Sequence, residues 1–255
     1  MFENALEEIT KCAINAGKMM IHCSDIKIFS KSVNDFVTTC DISIQKYIIE
    51  YLGERYSNSF FVAEEKENMF IPDSEGFIID PIDGTLNYIN GIPHCAVCIA
   101  YVNHRSVQCS VVYNPFSNEL FYASKGNGAY LNGERIYCLS NNFNRSIVLV
   151  DDCWDGDARV VTNYVAGFRC IGCAELAICY VACGRAAGYI SQKIHVWDFS
   201  AGKIIIEESG GCLLNERNEE IDIQNTDKVL ACSFRFRDVL FKINNEAKSN
   251  QAVKR

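Results

Sequence analysis

Residues 78–88 read Ile78-Ile79-Asp80-Pro81-Ile82-Asp83-Gly84-Thr85-Leu86-Asn87-Tyr88. Two apolar residues run into two carboxylates spaced i, i+3, with a proline between them and Gly-Thr behind. A strand that buries Ile78 and Ile79 carries Asp80 to its end, where core gives way to cleft. Pro81 fixes its own φ and removes a donor, so the peptide cannot relax into helix or ladder. The acids are then held close in a short rigid turn, where like charges raise each other's pKa unless cations neutralise them. The economical reading is a divalent metal site of oxygen ligands, with the amides and hydroxyl of Gly84-Thr85 beside it. An isolated Asp-x-x-Asp-Gly is equally compatible with an Asx-turn whose aspartates satisfy loop backbone.

Two further segments favour the site. Upstream, Phe60-Phe61-Val62-Ala63 reads as a buried strand that ends directly in Glu64-Glu65. Downstream, Ile194-His195-Val196-Trp197-Asp198 leads into Phe199-Ser200-Ala201-Gly202 and then to Gly210-Gly211. Carboxylates thus recur at element ends, where they converge more readily than acids scattered along a helix face. Glu64, Asp80, Asp83 and Asp198 are expected to converge without an internal lysine or arginine to offset them.

With these residues in view, the chain resembles the inositol monophosphatase family of magnesium-dependent phosphatases. The resemblance runs from about Lys31 to about Ser233. It is carried by Asp80-Pro81-Ile82-Asp83-Gly84-Thr85 with Asn87, and by Trp197-Asp198 with Ala201-Gly202 and Gly210-Gly211. Lys31-Ser32-x-x-Asp35-x-Val37-Thr38-x-x-Asp41 matches an amino-terminal motif. Asn114-Pro115, Glu119-Leu120-Phe121-x-Ala123 and Gly126-x-Gly128-Ala129-x-Leu131-Asn132-Gly133 match a central hairpin. Gly172-x-Ala174 followed by a helix matches a substrate-proximal segment.

The resemblance implies a layered α-β-α-β-α sandwich of the inositol monophosphatase and fructose-1,6-bisphosphatase type. It implies two to three Mg2+ ions, replaceable by Mn2+, with inhibition by lithium. Glu64, Asp80 and the Ile82 carbonyl would hold the first ion, and Asp80, Asp83 and Asp198 the second. Glu64 would reach a third through water. Thr85, paired with Glu64, would orient the attacking water, and the amides of Gly84 and Thr85 would receive the phosphate. Lys31 and Asp41 would tune the third ion, with Asp41 counted among the catalytic residues. Gly172, Cys173, Ala174 and Ser191 would join Asp83, Gly84, Thr85 and Asp198 around the substrate. A homodimer is also implied.

Several residues have plainer readings. Asp198 could cap the following helix, which is compatible with metal binding. Lys31 and Asp41 could form a surface salt bridge or a turn cap. Trp154-Asp155 repeats the Trp-Asp pair without the glycines that follow the other, and reads as a decoy. His94 and His195 read as packing or hydrogen-bonding residues and not as ligands, because the site is built from oxygen.

Composition sets the frame. A chain of 255 residues with 49% hydrophobic content can bury a full core. Net charge −8 and a pI of about 5.1 argue against a protein that tracks nucleic-acid phosphates. Residues 1–20 carry Glu3, Glu7, Glu8 and Lys11, so no secretory signal is visible, and no apolar run is long enough for a membrane span. The fourteen cysteines then read as reduced thiols in a cytoplasmic protein. Cys170-x-x-Cys173 with Cys179 and Cys183 could be imagined as a zinc cluster, but the second pair has helical rather than zinc-knuckle spacing, and the thiols read as small buried hydrophobes.

Periodicity predicts helices over Glu3–His22 and from Asp41 to Gly53. Short β runs follow at Phe60–Ala63, Phe77–Ile79, Cys95–Val102, Ser106–Tyr113, Leu120–Ala123 and Ala129–Leu131. The polar stretch Ser140–Arg145 divides an α+β half, 1–140, from an α/β half, 141–255, within one compact unit. The second half reads as strand Ile147–Val150, helix Gly156–Tyr164, strand Phe168–Cys170, helix Ala174–Cys183 and strand Ala187–Ile190. Helix Asp198–Glu208, strands Gly211–Leu214 and Val229–Cys232, and a short helix complete it, and 244–255 is expected to fray.

The expected activity is hydrolysis of a small phosphorylated polyol, inositol monophosphate foremost, by metal-activated water. Position 191 departs from the pattern. Animal-type members carry a glutamate there that binds sugar hydroxyls, and here the residue is Ser191, with Lys193 close by. Losing such a charge-assisted hydrogen bond, worth about 1.5–3 kcal/mol, would relax inositol recognition. Fructose 1,6-bisphosphate, NADP or another sugar or nucleotide phosphate stays open as substrate. A non-catalytic member that binds a partner is the remote alternative, opposed by the presence of every carboxylate and of Thr85.

Overall fold

The computed structural model describes residues 2–33, 35–66, 70–139, 143–151, 154, 156–224 and 228–252. The chain opens with helix α1 (Phe2–His22), hairpin strands β1 (Ile28–Ser32) and β2 (Asp35–Thr38), and helix α2 (Thr39–Gly53). Strands β3 (Phe60–Ala63) and β4 (Glu75–Asp83), the one-turn helix α3 (Thr85–Ile89) and β5 (Ala96–Asn103) follow. Then come β6 (Ser106–Asn114), β7 (Glu119–Ser124), β8 (Gly128–Leu131) and β9 (Glu134–Arg135). The remainder is β10 (Ile147–Val150), α4 (Ala158–Val161), β11 (Gly167–Cys170), α5 (Ala174–Ala182), β12 (Gly188–Ser191), α6 (Ser200–Glu208), β13 (Gly211–Leu214), β14 (Val229–Ser233) and α7 (Arg237–Ala252).

Strands β3 to β9 form one seven-stranded sheet in sequence order, antiparallel except for the parallel pair β3–β4. A five-stranded sheet runs β11-β10-β12-β14-β13, with β10 parallel to both its neighbours and β14 antiparallel to both of its own. Strand β5 shows how the layers stack. Ala96, Cys98, Ala100 and Val102 enter the core that contains α5 and α6, whereas Val97, Ile99 and Tyr101 enter the core that contains α1 and α2. A strand with helices on both faces reads as a continuous apolar run, and this one does.

Helix α1 buries Ala5, Ile9, Cys12, Ala13, Ala16 and Met20, the stripe its 3.6-residue period dictates. Each buried Ile or Met side chain contributes about 1.5–3 kcal/mol of apolar transfer. Helices α5 and α6 lie between the sheets, sharing one core with Val62 and Ile78 on one side and Leu149, Tyr189 and Leu213 on the other. Val161, Leu240 and Ile243 of α4 and α7 cover the outer face of the five-stranded sheet. The layering is therefore α-β-α-β-α, as the resemblance implies.

Several expectations need correction. The β1–β2 hairpin was unforeseen, because β1 is exposed along its whole length and shows no alternation. Only Ala158–Val161 of the expected 156–164 helix is α-helical. The helix expected from Asp198 opens instead with a 3-10 turn, Val196–Asp198, before α6. The closing helix is long, and the expected fraying from Asn244 does not occur within 244–252. There Asn244 is buried and accepts from Gln192 Nε2 (3.3 Å), while the Ala247 carbonyl accepts from Asp157 N (3.1 Å). Of the expected dividing stretch, residues 140–142 lie outside the described residues, as does Asp155 of the second Trp-Asp pair.

Candidate active site

Strand β4 does not stop at Pro81. It pairs Asp80 with Cys98 and Asp83 with Ala96, so three steps on β4 face two on β5. In a regular strand residues i and i+3 point to opposite faces. The extra residue of the bulge, placed where Pro81 has no N–H to give, returns Asp83 to the face of Asp80. Both face α5 and α6, as do their partners Cys98 and Ala96, while Ile79 and Ile82 turn to the other core. The expected strand end is thus a bulge inside a strand, and it places both carboxylates on one face.

Each acid is held by a different element. Asp80 Oδ1 accepts from Ile82 N (3.0 Å) across the bulge. Asp83 caps the start of α5, taking Ala174 N on Oδ1 (3.1 Å) and both Glu175 N (2.6 Å) and the Cys173 thiol (2.9 Å) on Oδ2. Asp198, on the 3-10 turn packed against β4, accepts from His195 N (2.7 Å). The His195 and Trp197 rings stack 4.9 Å apart in that turn. Glu64 follows β3, where its N–H donates to the Ile79 carbonyl (3.3 Å).

Burial and mutual repulsion dominate the electrostatics. Asp80 is 2% exposed; burial pushes its carboxyl well above the usual range, and the charges of Glu64, Asp83 and Asp198 add to the shift. Asp198 is driven up by burial and then by Asp83. Burial also raises Asp83, against the pull of the Cys173 thiol and the α5 amides. Glu64 is pushed up to about 7 by burial, with Lys31 opposing.

Lys31 corrects the expectation that no internal cation offsets these acids. Its ammonium lies 2.8 Å from Glu64 Oε1 and 2.9 Å from Glu65 Oε1. Burial works against the ammonium, but the two glutamates overcome it and raise its pKa. Thr85 is not paired with Glu64 either. Its hydroxyl donates to Asp41 Oδ1 (3.0 Å), with the Ile82 carbonyl at the same distance. Asp41 is fully buried on the first turn of α2, where it completes a capping box with Thr38. Its place beside Thr85 follows from that cap.

The turn after the bulge demands glycine. Gly84 has φ +89°, and a Cβ there would come within 2.8 Å of the His94 carbonyl and 3.1 Å of the Gly172 carbonyl. Asn87 Nδ2 donates to the carbonyls of His94 (2.8 Å) and Ile171 (2.7 Å), tying this turn to Gly172. Gly84, Thr85, Gly172, Cys173 and Ala174 therefore meet around Asp83. Cys173 turns its thiol inward to Asp83, while Cys170 is exposed. Ser191 is 2% exposed and donates to Asp151 Oδ2 (2.5 Å), which also accepts from Gln192 N (2.9 Å). Its hydroxyl is therefore already engaged by Asp151.

Among the described residues, no group of three or more His, Cys, Asp or Glu side chains is placed so that it could hold a metal ion as the side chains stand. The donor set nevertheless fits a hard divalent cation. A carboxylate has about four lone-pair positions, so one amide contact leaves room for an ion. Glu64, Asp80, Asp83 and Asp198 act electrostatically on one another around a buried strand, with Lys31 as their near cation.

Sequence reasoning missed Glu175 and Asp151. Asp151 directly follows β10, so the same rule of acids at element ends would have found it. Glu175 sits in the first turn of α5, an ordinary place for an acid, and carried no signal. Among the described residues no helix is long and apolar enough to cross a membrane.

The comparisons agree with this architecture. The pattern of the inositol monophosphatase family matches residues 4–249. The Nus factor SuhB of Pasteurella multocida is 32% identical over 230 residues, covering 86% of this chain and 86% of that protein. A fructose-1,6-bisphosphatase/inositol-1-monophosphatase of Thermotoga maritima is 30% identical over 241 residues, covering 89% and 90%. Among solved structures, a Thermotoga maritima IMPase superimposes with a TM-score of 0.90 at 28% identity, over 97% of this chain and 99% of that one. With the bulged carboxylate strand, the capped helices and the five layers in hand, the chain belongs to the inositol monophosphatase family.

Proposed function

We propose that this chain is a Mg2+-dependent phosphate monoester hydrolase acting on a small phosphorylated polyol, inositol monophosphate foremost. The observation that carries the reading is the placement of acids about β4: Asp80 and Asp83 across its bulge, Glu64 hydrogen-bonded to it through Ile79, the Asp198 turn packed against it, and the Thr85–Asp41 pair beside them. Glu64 and Asp80 with the Ile82 carbonyl would hold one ion, and Asp80, Asp83 and Asp198 another. Bound magnesium supplies charge neutralisation of the phosphate and acidification of water.

The chain's own residues do the rest. Thr85 Oγ1 accepts a proton from the attacking water and passes its own to Asp41 Oδ1, the acceptor it already faces. The water oxygen bonds to phosphorus as the ester P–O bond breaks, and the leaving alkoxide takes a proton from solvent. The amides of Gly84 and Thr85 are fixed by a left-handed backbone that favours glycine, and they receive phosphoryl oxygens without reorganising. The division into 1–140 and 141–255, the homodimer, lithium sensitivity and a cytoplasmic setting belong to the same reading.

Fructose 1,6-bisphosphate and NADP remain rival substrates. The name of the Thermotoga maritima relative couples two of these activities, and position 191 brings no carboxylate to the rim. A screen of phosphate release over inositol 1-phosphate, fructose 1,6-bisphosphate, NADP, histidinol phosphate and 3′-phosphoadenosine 5′-phosphate tests the reading. Preference for inositol 1-phosphate is expected. The second reading, a partner-binding protein, is favoured by the Nus factor name of the Pasteurella multocida relative. Silence on all five esters, with metal binding intact, would select it.

A further inference from the structure

Helix α6 starts two residues after Asp198, and its N-cap residue, Phe199, has no capping side chain. The cap comes from another helix. Glu175 of α5 is fully buried, and its carboxylate accepts from Ala201 N (2.8 Å) and Gly202 N (2.5 Å) in the first turn of α6. The same pattern holds one step earlier. Helix α5 has Cys173 at its N-cap without a side-chain cap, and Asp83 of β4 caps it from outside. The backbone N–H of Glu175 is itself one of the donors to Asp83. One residue therefore grips Asp83 with its main chain and the helix behind Asp198 with its side chain.

We propose that Glu175 is the positioning residue that sets the placement of Asp198 relative to Asp83. The inference rests on the proposed reading of those two aspartates as ligands of one cation. Both carboxylate oxygens of Glu175 face N–H donors, which an amide could not satisfy, because its NH2 would meet one of them. The α6 backbone comes close enough that a Cβ on Gly202 would lie 2.5 Å from Glu175 Oε2 and 2.7 Å from Ile178 Cγ2. Gly202 permits the approach and Glu175 holds it. Partners of this kind behind a ligand typically govern metal affinity by about 10–100-fold.

The test is Mn2+ binding to the full chain, counted by spin resonance, with the melting temperature measured alongside. Wild type, Glu175→Gln, Glu175→Asp and Asp83→Asn are compared. Glu175→Gln should weaken the Mn2+ site that depends on Asp83 by about tenfold or more, leaving other Mn2+ binding unchanged. Glu175→Asp keeps the charge but is one methylene short of α6, and should also weaken it. It decides the matter if the glutamine variant does not fold. Unchanged Mn2+ binding in a folded variant, with only a lower melting temperature, would reduce Glu175 to a helix cap and overturn the proposal. So would failure of both variants to fold. If Asp83→Asn itself binds Mn2+ like wild type, the ligand reading fails instead.

Discussion

Asp83→Asn separates two duties of one side chain. As a proposed ligand, Asp83 loses its charge, and turnover should fall below detection. As a cap, it accepts from Ala174 N at 3.1 Å, Glu175 N at 2.6 Å and the Cys173 thiol at 2.9 Å. An asparagine in either orientation turns its NH2 toward at least one of these donors. One charge-assisted hydrogen bond, worth about 1.5–3 kcal/mol, is lost and a buried donor is left unpaired. Removing one negative charge near Asp80 and Asp198 returns part of that cost, since Asp83 is among the charges that raise both. The net expectation is a loss of about 1–3 kcal/mol. For a chain of this length that is a fall in melting temperature of roughly 2–12 °C. Scanning fluorimetry in chelator reads the structural part, and phosphate release with Mg2+ reads the catalytic part. A variant that melts like wild type or higher would refute the cap, and one that still turns over would refute the ligand.

The other predictions follow from the same geometry. Thr85→Ala should retain metal binding but lower kcat about a hundredfold or more, because the proton path to Asp41 is cut; unchanged kcat would make Thr85 a turn cap. Ser191→Glu should destabilise the fold, since it forces a second carboxylate against Asp151 in a buried position. Unchanged stability on denaturant unfolding, with higher kcat/KM for inositol 1-phosphate, would put position 191 on the rim after all. Metal-free protein should lose stability as pH rises from about 4.5 to about 7, because burial raises Glu64 from 4.5 to about 7 in the fold, so the folded state binds the proton more tightly. At about 1.36 kcal/mol per unit the Glu64 share is about 3–4 kcal/mol at most. A melting temperature in chelator that climbs over this range would contradict the sign.

The residues that build the centre were legible because chemistry forces their types. Acids at the ends of apolar runs, a proline and a glycine within one short segment have few structural solutions. What stayed hidden depended on partners far along the chain. Pro81 reads as a terminator until the register of β5 shows that the strand resumes at Asp83. Lys31 meets Glu64 from 33 positions away, on a hairpin whose first strand is exposed throughout. Thr85 was matched to the wrong acid because Asp41 reaches it from α2, 44 positions away. The closing helix hid behind its polar composition, although Leu240, Ile243 and Ala247 recur at helical spacing and are all buried. Glu175 could not be found at all, since a cap supplied across two helices leaves no local pattern.

The central claim is that the carboxylates of β3, β4 and the Asp198 turn serve metal-assisted phosphate release. Its most direct test is phosphate release from inositol 1-phosphate by the wild-type chain, first in excess chelator and then on titration with Mg2+. The account predicts near-zero turnover in chelator and saturable recovery with Mg2+. Full turnover in chelator, or none at any Mg2+ concentration by a folded protein, would contradict it.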